Sequence, residues 1–237
     1  GTGQFSARSA WTTGAAYFNF ICGPYTQSHA HQDQSSFVFF KGNWLAIDED
    51  INTHSGLAQM EAAHNLVRLR QGGQDIEQDW GASCQMQALA DNSSYSYALA
   101  RVTPMFASHS AVTKVEREIL LIKPATLVVL DRVQVQAGSG ISPVWTLNVQ
   151  GTPTVSGDNL TAKSGSNQLD VVRLAPAGLT SQVIAWPSLN TAADTEYFSG
   201  SRVDTVSNAA STVYLHVLGA DHSFTSAVRS DVSGQTG

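Results

Sequence analysis

Charge is scarce in this chain of 237 residues. Asp, Glu, Lys and Arg together make up 14% of it, against about a quarter in ordinary soluble domains. The formal net charge is −6, and no run of basic residues is longer than a pair. A surface that neutralises nucleic-acid phosphates needs clustered Lys and Arg, so nucleic acid is not an expected partner. An acidic substrate stays open, because local arginines (Arg68, Arg70, Arg101, Arg117) can meet one without changing the overall sign. Long apolar runs are missing as well. No stretch reaches the roughly 18 residues of a membrane span, and no signal-peptide pattern is present. The opening Gly-Thr-Gly-Gln has no Met, which fits a processed piece whose export signal lay upstream.

Cysteine is almost absent. Cys22 and Cys84 lie 62 residues apart, a separation that excludes a CxxC redox or zinc motif. A disulfide in an exported chain and two buried thiols both fit. Helical patterning is nearly missing too, with only Ser55–Ala63 having helix-forming composition.

What the chain does have is an ordinary apolar fraction, 42%, enough for a sizeable core. It is distributed in short runs separated by turn residues at spacings of roughly ten. Examples are Ser36–Lys41, Trp44–Ile47, Asn65–Leu69, Tyr95–Val102, Val112–Ile122, Thr126–Val135, Val144–Val149, Leu169–Leu174, Gln182–Trp186 and Thr212–Leu218. Many alternate apolar and polar residues, the period-2 signature of strands with one buried face. Leu127-Val-Val-Leu is continuous and reads as a strand buried on both faces. Gly-rich breaks such as Gln71-Gly-Gly and Ala137-Gly-Ser-Gly carry turn chemistry. The pattern predicts an all-β fold, an antiparallel multi-stranded β-sandwich in a single domain over 1–237, with a smaller sub-lobe from about 138 on.

The chemistry concentrates in Ser28-His29-Ala30-His31-Gln32-Asp33-Gln34-Ser35-Ser36-Phe37. In an extended chain His29 and His31 point to one side, and Asp33 continues that face. Asp48 ends the apolar run Trp44-Leu-Ala-Ile-Asp, and His64 opens the run leading to Arg68. Two imidazoles and a carboxylate on separate strands suit zinc better than calcium, which prefers oxygen shells. The bland alternative is a set of solvated loop histidines with Asp48 terminating a turn. His54, His109, His216 and His222 have no distinguishing spacing and read as structural or surface. The five tryptophans read as core, with Trp80 beside Gly81 as the one that could be exposed.

The order of motifs carries a resemblance. Arg8-Ser9-Ala10-Trp11, Cys22-Gly23-Pro24, the His29–Phe37 segment, Gly42-Asn43-Trp44-Leu45-Ala46-Ile47-Asp48 and Ala63-His64-Asn65 together resemble the heparinase II/III-like polysaccharide lyases over residues 5–70. In that family a helical toroid precedes an antiparallel β-sandwich, and the active site lies between them. The resemblance implies that His31, Asp48 and His64 bind one structural zinc, that His29 is the catalytic histidine facing the substrate, and that Asp33 supports the loop. It implies β-elimination on a uronic-acid polysaccharide, alginate- or glycosaminoglycan-like, by a periplasmic or secreted protein. Two departures stand out. Glu49-Asp50 follow Asp48 where the family has an Asp-Gly-like turn, and the toroid, with its proton-transferring tyrosine and histidine, is expected upstream or on another chain. Two other classes compete. One is a non-catalytic, metal-stabilised sandwich that binds glycan or protein. The other is a cupin-like metalloenzyme, disfavoured because no Glu follows the His-x-His pair.

Overall fold

The computed structural model describes residues 3–48, 60–186 and 200–230. It is an all-β architecture of three antiparallel sheets sharing one apolar core. The first sheet is a meander of β1 (Gln4–Arg8), β2 (Tyr17–Ile21), β3 (Phe37–Lys41) and β4 (Asn43–Ala46) in that order. The second contains β5 (Val67–Gln71), β6 (Gln74–Asp75), β11 (Ile141–Gln150), β15 (Ser181–Ala185) and β16 (Gly200–Val206), in the order β15-β16-β11-β5-β6. The largest has eight strands: β7 (Gln85–Asp91), β8 (Tyr95–Arg101), β9 (Val112–Ile122), β10 (Thr126–Val135), β12 (Thr154–Ser156), β13 (Asn159–Ser164), β14 (Asn167–Ala175) and β17 (Ser211–Ala220). Their order is β12-β13-β14-β17-β10-β9-β8-β7, so the last strand, β17, lies between β14 and β10.

The long strands form where period-2 patterning is strongest. Along β9, Val115, Ile119 and Leu121 point inward, and along β10 Leu127, Val129 and Val133 do the same. Val128 and Leu130 are only half-buried, so Leu127-Val-Val-Leu is an alternating strand with one core face, not one buried on both sides. Two charged residues occupy the inner columns of these strands. Arg117 on β9 and Asp131 on β10 are register partners, and both are buried. Arg117 donates to the two Asp131 oxygens from Nε (2.6 Å) and Nη2 (3.0 Å). Across the sandwich, Tyr214 of β17 donates from its hydroxyl to the carbonyls of Pro143 and Thr205, and His216 stacks on Trp145 at 3.6 Å between ring centres.

Helix is confined to two 3-10 turns among the described residues, Glu61–Ala63 and Thr103–Phe106. The helix expected over Ser55–Ala63 falls partly on 55–59, outside the described residues, as do His54 and Glu49-Asp50. Cys22 and Cys84 form a disulfide. Of the tryptophans, Trp145 and Trp186 are buried and Trp80 is 60% exposed, in line with its place beside Gly81, whereas Trp11, expected in the core, is 90% exposed.

Candidate active site

Three segments converge at one end of the four-stranded sheet: the loop from Cys22 to Ser36 joining β2 to β3, the residues just after β4, and those just before β5. The loop is not a strand. His29 sits in a turn closed by Ala30 N–H on Gln27 O (2.9 Å), with φ at +66°. This is the left-handed region that β-carbon-bearing residues seldom adopt. Alternation therefore does not apply across His29 and His31, and the expectation that one strand face presents both is corrected. His29 is exposed on the turn, while His31 is half-buried.

The loop is held by its own polar residues. Gln34 accepts from Gly23 N–H (2.6 Å) and donates to Asp33 (2.9 Å), whose carbonyl takes Ser36 N–H (2.8 Å). The Gln78 amide acts as a short strand edge. It accepts Gln34 N–H (3.1 Å) and donates to Gln34 O (3.0 Å). Asp33 thus supports the loop, and its carboxyl is pushed up by burial, with His64 opposing and Asp48 adding.

Asn65 is fully buried and ties the segment before β5 to the loop, to β3 and to β11. Its N–H donates to Ser36 Oγ (3.1 Å), its amide to Phe37 O (2.8 Å), and its Oδ1 accepts Asn148 N–H (2.6 Å). Ser36 Oγ in turn reaches Asp48 Oδ1 (3.4 Å). Arg117 completes the frame from below, its Nη1 donating to Ser35 O (2.8 Å) and Asn65 O (2.7 Å). Of the arginines considered for an acidic substrate, Arg117 and Arg68 are buried. Arg68 is committed to Asp75 and Asp204.

This frame brings His31, His64 and Asp48 together. His31 Nδ1 lies 3.3 Å from His64 Nε2, and Asp48 Oδ1 lies 3.2 Å from His64 Nδ1. His64 is 1% exposed. Burial lowers the pKa of His31, the neighbouring His64 lowers it further, and Asp48 opposes both. The set is ordered as a chain, carboxylate to imidazole to imidazole. Among the described residues no three His, Cys, Asp or Glu side chains surround a single point as ligands. Part of the donor set nevertheless matches a metal. Two nitrogens each about 2.0–2.1 Å from a tetrahedral zinc lie roughly 3.3–3.4 Å apart, and the His31–His64 pair has that spacing. Asp48, on the other nitrogen of His64, stands where a carboxylate orients a metal-bound imidazole.

Sequence reading found His31, His64 and Asp48 but missed the frame of Gln34, Asn65, Gln78 and Arg117. Arg117 and Asp131 were the findable pair, since each interrupts the apolar column of a neighbouring strand.

By sequence, the chain matches no family model and no curated protein. By structure it is similar to a heparinase III, with TM-score 0.74 and 14% identity over 92% of this chain and 34% of that one. It is likewise similar to heparan sulfate lyase HepC from Pedobacter heparinus, with TM-score 0.72 and 14% identity over 93% of this chain and 35% of that one. A further heparinase III structure gives 0.69 at 13% identity, over 93% and 36%. The chain spans about a third of the length of these solved structures, and over that third it has the polysaccharide-lyase-like sandwich fold.

Proposed function

We propose that this chain is the sandwich wall of a polysaccharide lyase that cleaves uronic-acid-containing polysaccharide by β-elimination. The observation that carries the reading is the meeting of His31, His64 and Asp48 beneath the exposed His29 turn, on a fold similar to heparan sulfate lyases. A zinc ion held by His31 and His64, with Asp48 orienting His64 from its other ring nitrogen, would serve structurally, tying the loop to the two sheets.

The chain's own residues then have defined tasks. The C5 proton of a uronate becomes acidic only when the neighbouring carboxylate is neutralised. His29, exposed on its turn, meets that region of the ring. It takes one of two tasks: as an imidazolium it would balance the carboxylate, with the base on the opposite wall, or as a neutral imidazole it would accept the C5 proton, with the carboxylate balanced from that wall. The C5–H electron pair becomes the C4–C5 double bond as the C4–O4 bond breaks, and O4 takes a proton from the opposite wall of the cleft. That wall, a helical toroid in the same precursor or on a separate chain, is the proposed partner, and the periplasm or cell exterior the proposed compartment. No helix among the described residues is long and apolar enough to cross a membrane.

The test is ultraviolet absorbance from the unsaturated uronate product, measured on this chain alone and joined to a toroid domain. The expected result is weak activity alone, a large gain when joined, and loss of that gain in His29→Ala. Strong activity from the chain alone, unchanged in His29→Ala, would overturn the assignment.

A further inference from the structure

A concave feature lies beside the histidine loop. It is a cleft of about 550 Å³, walled on one side by Gln32, the residue after His31, and on the other by the segment from Gln74 to Trp80. The turn carrying Trp80 is pinned to the base of the loop. Tyr25 N–H donates to Ala82 O (2.9 Å), Gly81 N–H donates to Tyr25 O (2.9 Å), and the Cys22–Cys84 disulfide closes the same ladder. The Trp80 ring meets Tyr25 edge-on, at 5.0 Å between centres and 75° between planes. An indole 60% exposed is thereby held in place on the wall of a polar cleft.

A braced aromatic face surrounded by amides and carboxylates is the surface that a pyranose ring satisfies. The ring's C–H face covers the indole while its hydroxyls bond to the polar groups. The lining also has a sign. It holds no Lys or Arg among the described residues. Asp75 is paired with Arg68 and Arg70, and Asp79 accepts from Ser108. Glu77 is exposed at the rim beside the Gln32 and Gln74 amides. A second carboxylate or a sulfate brought here meets Glu77 and Asp79, with the His109 imidazole the one basic side chain among the described lining residues.

We propose that this cleft is a sugar subsite for an uncharged pyranose residue stacked on Trp80, and that it disfavours uronate and sulfated residues. The inference rests on the reading of the adjacent loop as the uronate-facing end. Together they select a polymer in which an uncharged unit, such as an N-acetylhexosamine, neighbours the uronate that His29 meets. A pure polyuronate is then a poor substrate.

The experiment is tryptophan-fluorescence titration of the chain with two probes, N,N′-diacetylchitobiose and digalacturonate. Trp80→Ala, Glu77→Lys, His29→Ala and Trp11→Ala, the last as the control for the other exposed indole, are titrated alongside. The uncharged disaccharide should bind wild type, Trp11→Ala and His29→Ala alike and lose roughly tenfold or more in Trp80→Ala. Digalacturonate should bind wild type at least roughly tenfold more weakly, with Glu77→Lys narrowing that gap. Equal binding of both probes, binding indifferent to Trp80→Ala, or no saturation by the uncharged probe would each overturn the subsite. Because binding of the uncharged probe does not involve His29, absence of elimination would sink the lyase reading while leaving this result standing.

Discussion

Removing the Arg117 guanidinium tests whether the buried ion pair stabilises the fold or positions the site. Arg117 is 1% exposed and makes four hydrogen bonds, two to Asp131 and one each to the carbonyls of Ser35 and Asn65. Burial raises the Asp131 pKa, and Arg117 opposes that shift without cancelling it. Desolvation is thus the larger effect on that carboxyl, and the pair by itself is a weak source of stability. Breaking it is another matter. Arg117→Met strands a buried carboxyl and two buried carbonyls, and losing one partner of such a pair costs about 3–5 kcal/mol. The double variant Arg117→Met/Asp131→Leu removes both charges and leaves only the carbonyls, at roughly 1–3 kcal/mol each. Urea denaturation of wild type, both singles and the double gives a mutant cycle. The expected result is a double variant no less stable than Arg117→Met. A double variant whose loss equals the sum of the singles, or an Arg117→Met loss below about 1 kcal/mol, would refute the reasoning.

Other consequences follow from separate parts of the structure. Replacing Cys22 and Cys84 together by Ala opens a 62-residue loop, and the chain-entropy relation puts the loss near 4 kcal/mol, measurable as a lowered urea midpoint. His216 is buried against Trp145, with its pKa held well below 6.5 by burial first and by Arg173 and Arg117 after it. Below about pH 6.5 the unfolded chain therefore takes up a proton that the folded chain refuses, and stability falls as pH falls, by at most ~1.4 kcal/mol per pH unit. His216→Phe should flatten that limb of the stability–pH curve, and an unchanged slope would contradict the assignment. Asn65→Ala removes the amide that bonds Phe37 O and accepts Asn148 N–H. It should cost about 2–4 kcal/mol by denaturation, from two buried backbone groups left unpaired.

Much of the sandwich was legible because long strands with one core face repeat every second residue. Val112–Ile122 and Thr126–Val135 coincide in both ends with β9 and β10, and Val144–Val149 falls inside β11. Some of the strands that escaped lack that signal, although β2 and β13, which alternate, escaped as well. β7 is an edge strand with most of its residues exposed, and β1 and β12 are short edge strands. At the site, the meeting of His31, His64 and Asp48 was legible from motif order, but its geometry was not. His29 departs from alternation because it occupies a left-handed turn, which no period predicts. His31 and His64 lie 33 residues apart, and what joins them is backbone capture by Asn65 and Gln78, which read in sequence as ordinary polar positions, and by Arg117, whose place in an apolar column was the one findable signal. The Trp80 cleft depends on the disulfide ladder between residues 22–25 and 81–84, and the cysteine count alone left that pairing open.

The account turns on the proposal that His31, His64 and Asp48 form a metal-held platform for His29. Elemental analysis of wild type, His31→Ala and His64→Ala, each purified without added metal, tests it directly. The account expects close to one zinc per chain in wild type, lost in both variants together with a lower melting temperature. A wild-type chain that carries no metal and gains no stability from added zinc would contradict it.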